Sequence, residues 1–343
     1  MNYRSLGRSG LKVSPLCLGT MMFGDRTDAA EAGRIVASAR AAGVNFVDTA
    51  DVYARGESER ITGKLLAADR DRWVLATKVA NPMPGPGIPN PGGDDPNRRG
   101  TGRKWVMQAI DESLARLGLD YVDIYYIHRD TGDVPMEETV GAMGDLIRAG
   151  KIRHWGVSNL RGWRIAEAVR ACEALGVARP IVCQPYYNAM NRQPENDILP
   201  ACQHYGIGVV PYSPLARGVL TGKYAPGAQA TEGSRAARGD KRMLETEFRA
   251  ESLEIAQKVK AHAERKAMSP GHLAVNWVLA NPIVTSVIAG PRTMEQWTDY
   301  LAALGKSYGA DDEELFDVLV RPGHPSTPGY NDPNYPLRGR PSR

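Results

Sequence analysis

The chain has 343 residues, 42% of them hydrophobic, and 43 Lys plus Arg against 39 Asp plus Glu leave a net charge of only +4. That composition supports a sizeable core, and the interspersed charges argue against a nucleic-acid surface. No apolar run approaches the ~20 residues of a membrane helix, and the opening stretch M-N-Y-R-S-L-G-R-S-G lacks the apolar core of a signal peptide. Cys17, Cys172, Cys183 and Cys202 are scattered without a C-x-x-C pair, so reduced thiols in a cytoplasmic protein are expected. The histidines show no ligand spacing, and no metal site is expected.

In chain order, residues 2–13 read as a small hairpin turning near Gly7 to Gly10, and Pro15 to Gly19 as a short buried strand. A helix follows over Asp28 to Ala42, with Thr27 or Asp28 as its cap. Asn45 to Thr49 is a strand, Ser58 to Ala68 a helix, Trp73 to Val79 a strand and Lys104 to Leu117 a helix. The pattern continues with strands at Val122 to His128, Arg153 to Ser158, Ile181 to Pro185 and Val209 to Tyr212. Helices at Met136 to Ala149, Trp163 to Leu175 and Ile198 to Tyr205 separate them. Helices at Leu253 to Lys266 and His272 to Asn281, a strand at Ser286 to Ala289 and a helix at Met294 to Leu304 complete the series.

Such alternation, repeated about eight times, means a parallel sheet covered by helices. The expected fold class is α/β: a (β/α)8 TIM barrel with an N-terminal β-hairpin and long loops at the C-terminal face. It is read as one domain, with residues 1–14 the hairpin, 15–305 the barrel and 306–343 a C-terminal extension. A doubly wound sheet would carry a Gly-rich phosphate loop after its first strand, and T-M-M-F-G-D is no such loop. The segment 81–99, dense in Pro and Gly, reads either as a lid facing the substrate or as a solvated insertion. A second long loop is expected from Ala216 to about Glu247, and no regular structure from Arg321 onward. Trp105, Trp155, Trp163 and Trp277 read as packing residues.

On this scheme Asp48 ends the second barrel strand, Lys78 lies near the end of the third and His128 ends the fourth. Tyr53 is on the loop after Asp48. Strand ends of a barrel lie side by side on the face where active sites occur. An unpaired lysine on an apolar strand is expensive to bury, and Asp48 is within reach as its partner. An ammonium beside a phenol favours phenolate and lowers the tyrosine pKa. A neutral imidazole can orient a carbonyl oxygen, so the four residues suit proton donation to an oxygen that gains charge. The hydride of a carbonyl reduction must come from elsewhere, most naturally a nicotinamide.

The stretches F-V-D-T-A-D-V-Y, A-T-K-V, Y-I-H-R-D, G-K-I-R-H-W-G-V-S-N, Q-P-Y-Y-N, V-P-Y-S-P-L-A-R-G-V-L-T-G-K-Y and S-V-I-A-G-P-R-T-M-E-Q together resemble the aldo-keto reductase superfamily. They run in family order, and the flavour is closer to its bacterial reductases and potassium-channel β-subunits than to the mammalian aldose reductases. The resemblance implies Tyr53 as general acid, assisted by Lys78, Asp48 and His128. It implies NADPH lying extended across the barrel mouth, with Gly19 and Thr20 at the cofactor. It places Ser158, Asn159 and Gln184 on the nicotinamide carboxamide and Tyr212 against the nicotinamide face. Ser213, Leu215 and Gly218 fall beneath the pyrophosphate, with Lys223 as a phosphate contact. Gly290 and Arg292 precede the closing helix; Arg292 matches the 2′-phosphate contact, which favours NADPH over NADH, and Gln296 and Asp299 match positions near the adenine. Two departures stand out: Tyr300 replaces a frequent Asn, and the segment after Arg129 lacks an expected Pro.

The expected function is NADPH-dependent reduction of an aldehyde or ketone to an alcohol, with hydride from the nicotinamide and a proton from Tyr53. Arg129 and the arginines closing the first loop point to a polar substrate, sugar-derived or acidic. The alternative is an NADPH-binding, redox-sensing regulatory subunit with little turnover; the lack of a long segment before the hairpin favours the enzyme. A small-molecule carbonyl substrate is the expected partner, with no nucleic acid and no membrane. Helix exteriors show no self-pairing pattern and leave a homo-oligomer open.

Overall fold

The computed structural model describes residues 1–83, 95–227 and 233–336. They group into two compact units, the first being Met1–Pro185, Asp197–Val210 and Ile283–Thr298, and the second Tyr186–Asn196, Pro211–Pro282 and Asp299–Arg343.

The first unit opens with the antiparallel hairpin β1 (Arg4–Ser5) and β2 (Lys12–Val13). Then follow β3 (Leu16–Gly19), α1 (Ala29–Ala41), β4 (Phe46–Asp48), α2 (Glu57–Leu66), β5 (Val74–Val79), α3 (Arg103–Leu117) and β6 (Val122–Ile127). Next come α4 (Met136–Arg148), β7 (Ile152–Ser158), α5 (Gly162–Leu175), β8 (Val182–Gln184), α6 (Ile198–Tyr205) and β9 (Gly208–Val209). The last strand, β10 (Val287–Ala289), pairs with β3. The eight-stranded sheet is parallel throughout, in the order β10-β3-β4-β5-β6-β7-β8-β9. A parallel bridge from Val209 to Val284 closes it, with the Thr285 N–H donating to Val209 O at 2.8 Å. This is the (β/α)8 barrel that the alternating pattern predicts.

The local chemistry explains the elements. A parallel strand is covered on both faces and reads as a continuous apolar run; β5, V-L-A-T-K-V, is buried at every position, Lys78 included. Asp28 caps α1 by accepting the Glu31 N–H at 2.8 Å. Gly118, Gly176 and Gly206 end α3, α5 and α6 in the left-handed conformation, where glycine carries no Cβ penalty. Gly156 on β7 has another role: an added Cβ would lie 2.7 Å from the Tyr126 ring and 2.6 Å from Val182.

The second unit contains α7 (Lys241–Thr246), α8 (Ala250–Arg265) and α9 (Pro270–Ala280); α10 (Met294–Ala303) ends in it, and α11 (Ala310–Leu319) follows. Trp277 packs against Tyr187 and Phe316 with ring centroids 5.1 and 5.7 Å apart. Arg192 donates to Asp317 at 2.6 Å and to Val320 O at 2.9 Å.

Several expectations change. The stretch read as a loop from Ala216 to about Glu247 contains α7, started by Asp240, whose carboxylate accepts the Met243 N–H. The extension after residue 305 contains α11, with Asp311, Asp312 and Glu313 in its first turn. The segment after Arg321 has no helix or strand among its described residues. It is nonetheless anchored by the Arg192 N–H to His324 O, the Ser326 N–H to Met190 O and the Arg242–Asp332 ion pair. Trp163 does not pack: it is 67% exposed, because its position on α5 faces away from the core. Of the proposed lid, residues 84–94 lie outside the described residues, as do 228–232 of the second loop and 337–343 of the tail.

Candidate active site

Parallel pairing aligns the C-terminal ends of the barrel strands. Gly19 is opposite Asp48, Lys78 is opposite Tyr126, and Ser158 is opposite Gln184. Lys78, fully buried, sends its Nζ to three oxygens: Asp48 Oδ1 in a short ion pair, Thr49 O at 2.7 Å and Tyr53 Oη at 3.2 Å. The other oxygen of Asp48 accepts from Gln184 Nε2 at 2.9 Å. The Lys78 ammonium also lies 4.7 Å from the Tyr53 ring centroid. Tyr53 and His128 meet edge to face, with centroids 5.9 Å apart and planes at 84°. Tyr53 is held by a tight turn in which Ala54 and Arg55 both adopt left-handed φ values of 46° and 56°. Two consecutive non-glycine residues there are strained, and such strain persists only where the surroundings enforce it.

Burial shapes the charges. It pushes the Asp48 carboxyl up, against the pull of Lys78. It also works against the Lys78 ammonium, but Asp48 and Tyr53 more than offset it and hold the ammonium above the ordinary lysine value. The Lys78 ammonium therefore stays charged at neutral pH. Burial raises the Tyr53 phenol, and Lys78 offsets only part of that. Contrary to what the sequence predicts, the ammonium therefore does not leave the phenol unusually acidic, because the desolvation of Tyr53 outweighs it. Burial, then Lys78 and Arg129, push His128 well below 6.5, so its imidazole is neutral at pH 7. Asn81 Nδ2 lies 3.0 Å from His128 Nδ1. With the amide as donor, the single ring proton sits on Nε2. Asn81 escaped the sequence reading, although it directly follows the A-T-K-V-A run of β5.

Behind β5 a second buried group forms. Thr77 Oγ1 donates to Glu59 Oε1 at 2.6 Å, and Arg116 Nε donates to Glu59 Oε2 at 2.6 Å. Asp51 is buried beside it, accepts the Val52 N–H at 2.6 Å through Oδ1 and leaves Oδ2 without a partner among the described residues. Burial and then Glu59 hold the Asp51 carboxyl well above the usual carboxylate range.

The strand ends expected to meet a cofactor are linked to one another in the first unit. Ser158 Oγ donates to Gln184 O at 2.8 Å, and Asn159 Nδ2 donates to His128 O and to Ser158 Oγ, both at 2.9 Å. Gly19 leaves no room for a Cβ, which would lie 2.6 Å from Ile288 Cγ2. The Thr20 hydroxyl is used internally, against Asp48 O at 3.3 Å and Ser58 Oγ at 2.9 Å. Gly290 is exposed and Arg292 half-buried before α10. The first N–H groups there are engaged: Arg292 N–H by Gln296 Oε1 at 2.9 Å and Met294 N–H by Glu31 Oε1 at 2.5 Å.

In the second unit Tyr212 stacks on Tyr186, centroids 5.6 Å apart. Ser213, Ala216, Arg217 and Gly218 all have positive φ, and a Cβ on Gly218 would lie 3.2 Å from Lys223 Nζ. Turns of this kind present backbone N–H groups to anions. Leu215 packs near Gly271, and the Asp299 carboxylate is taken by His272 Nε2 at 2.7 Å. His262, Asp311 and Asp312 also cluster in the second unit, with His262 far in sequence from the adjacent aspartates, but Lys266 Nζ lies between them, 2.6 Å from Asp312 and 3.1 Å from Asp311. Among the described residues no helix is long and apolar enough to cross a membrane.

Comparison with known proteins agrees with the barrel fold. A family profile described as Aldo/keto reductase family matches residues 15–319. A probable voltage-gated potassium channel subunit beta of Oryza sativa subsp. japonica is 38% identical over 89% of this chain and 91% of its own. An uncharacterized oxidoreductase of Bacillus subtilis is 36% identical over 96% and 99%. An aldo-keto reductase of Metarhizium robertsii is 33% identical over 94% and 92%.

Proposed function

The chain belongs to the aldo/keto reductase family, and from that premise we propose that it is an NADPH-dependent oxidoreductase that reduces an aldehyde or ketone to the alcohol. The observation that carries the reading is the Lys78 ammonium, bonded at once to Asp48 and to Tyr53 Oη, with a neutral His128 edge-on to the phenol. When bound, the nicotinamide supplies the hydride. The substrate oxygen lies between Tyr53 Oη and His128 Nε2. The Nε2–H polarises the carbonyl, and Tyr53 gives its phenolic proton to the oxygen as charge builds there. Lys78 stabilises the phenolate left behind, and Asp48 and the Thr49 carbonyl fix Lys78.

The donor sets suit the cofactor. Ser158, Asn159 and Gln184 offer a hydroxyl and two amides, matched to a neutral carboxamide. The positive-φ turn from Ser213 to Gly218, with Lys223 beside it, suits a pyrophosphate. The Arg292 guanidinium suits a 2′-phosphate. Four buried, free cysteines favour a reducing, cytoplasmic setting.

The test is the purified protein with NADPH and a panel of aldehydes and ketones, followed at 340 nm, with NADH in parallel. Oxidation of NADPH by at least one carbonyl compound, slower with NADH, is expected. The 38% identity to a protein described as a channel β-subunit favours one second reading, a regulatory subunit that binds NADPH and reports redox state. Tight NADPH binding with no oxidation across the panel selects it.

A further inference from the structure

We infer that a cationic cavity over the ends of β5 and β6 binds an anionic substituent, carboxylate or phosphate, on the carbonyl substrate. The inference rests on the reductase reading and narrows its substrate class.

The cavity measures about 410 Å³, and Ala80, Arg99, Lys104, Trp105, Arg129 and Thr131 are among its walls. Ala80 comes two residues after Lys78, and Arg129 directly follows His128. The two strands that carry the ammonium and the imidazole therefore continue into this cavity. Its volume falls within the range of small-molecule sites.

Arg129 sets the cavity apart. The other half-buried or buried arginines of this region are paired: Arg98 with Glu112 at 2.8 Å, Arg116 with Glu59 at 2.6 Å and Arg164 with Asp130 at 3.2 Å. Arg129 has no such partner among the described residues, and its Nε is shut off from water without an acceptor. Thr131 Oγ1 is in the same condition, on the same wall. Polar atoms that have lost water and gained no partner are costly as they stand, and both belong to residues that line the cavity. A guanidinium has donors only, in a fork that fits a carboxylate or phosphate. Arg99 and Lys104, both exposed, add positive charge around it. Two carboxylates also line the cavity. Glu138 is engaged by the Arg103 N–H at 2.8 Å, and Asp133 is exposed, where solvent screens it. The inner charge that a substrate meets is thus Arg129.

The experiment compares 4-carboxybenzaldehyde with the near-isosteric, uncharged 4-nitrobenzaldehyde. In the wild type kcat/KM should favour the carboxylate by about tenfold or more, and Arg129→Gln should lower that ratio by at least about tenfold. Lys104→Gln, at an exposed position, should lower it severalfold and serves if Arg129→Gln fails to fold. Calorimetric titration of wild type and Arg129→Gln with terephthalate and with inorganic phosphate reads the cavity without turnover, and the tighter of the two names the anion. If no carbonyl compound is reduced but an anion binds and Arg129→Gln abolishes it, the cavity stands and the reductase reading falls. If both aldehydes are reduced equally and neither anion binds, the cavity assignment falls and the reductase reading stands.

Discussion

Lys78 and Thr77 are neighbours on β5 and point to opposite faces, and each reaches a buried carboxylate: Asp48 on one side, Glu59 on the other. At Glu59 itself both carboxylate oxygens are engaged. One oxygen takes Thr77, the other takes Arg116, and Arg116 is further held to Ser113 Oγ at 3.0 Å. On the Asp48 side two of the ammonium's bonds go to fixed acceptors, and the third goes to a phenol that still has a proton to give. Glu59 is as fully buried as Lys78, so burial of charge does not by itself mark a reactive site. What marks it is a hydrogen-bond chain that ends on an atom free to react.

The comparison can be broken in three ways. Tyr53→Phe removes the open end and should reduce turnover by roughly 10²- to 10⁴-fold while NADPH still binds, as read by cofactor fluorescence. Arg116→Met breaks the closed pair and should cost about 3 kcal/mol of stability in a urea melt, since it strands a buried carboxylate. Its kcat/KM per folded molecule should stay within about twofold of wild type; a loss like that of Tyr53→Phe would erase the distinction between the two clusters. The smallest effect is in pH. Tyr53 is held above the ordinary tyrosine value of about 10, so the acid stays protonated and the reduction rate should be flat to about pH 9 and fall only above it. His128 is depressed well below 6.5, so the unfolded chain binds its proton first; stability should be full above about pH 6.5 and decline as pH falls below it. Urea melts between pH 5 and 7 would show this decline, and His128→Gln should flatten it.

The strand-helix alternation was legible because parallel strands are runs of apolar residues and the helices between them repeat their apolar positions. α7 was not, because K-R-M-L-E-T is mostly polar and only the Asp240 cap marks its start. α11 lay in a stretch set aside as an extension, although three acids in a first turn are a helix signal in their own right. Trp163 was misread because an apolar residue at helical spacing need not face the core. At the site, residue types and strand ends were enough to bring Asp48, Tyr53, Lys78 and His128 together. The Asn81–His128 contact was not legible, since it spans 47 positions and depends on how the chain leaves β5. The Glu59–Arg116 pair spans 57 and joins two helices whose charged residues look like ordinary surface.

The barrel is stitched unevenly. β6 and β7 share five register pairs, from Val122 with Ile152 to Ile127 with Val157, whereas β8 and β9 share two, and a lone bridge at Val209 seals the ring. Spontaneous breathing therefore starts at that seam, where amide protons should trade with solvent soonest. β5 and β6 lie half a circumference away in the strand order. A thermal opening there would leave β5, which carries Lys78, paired with β6.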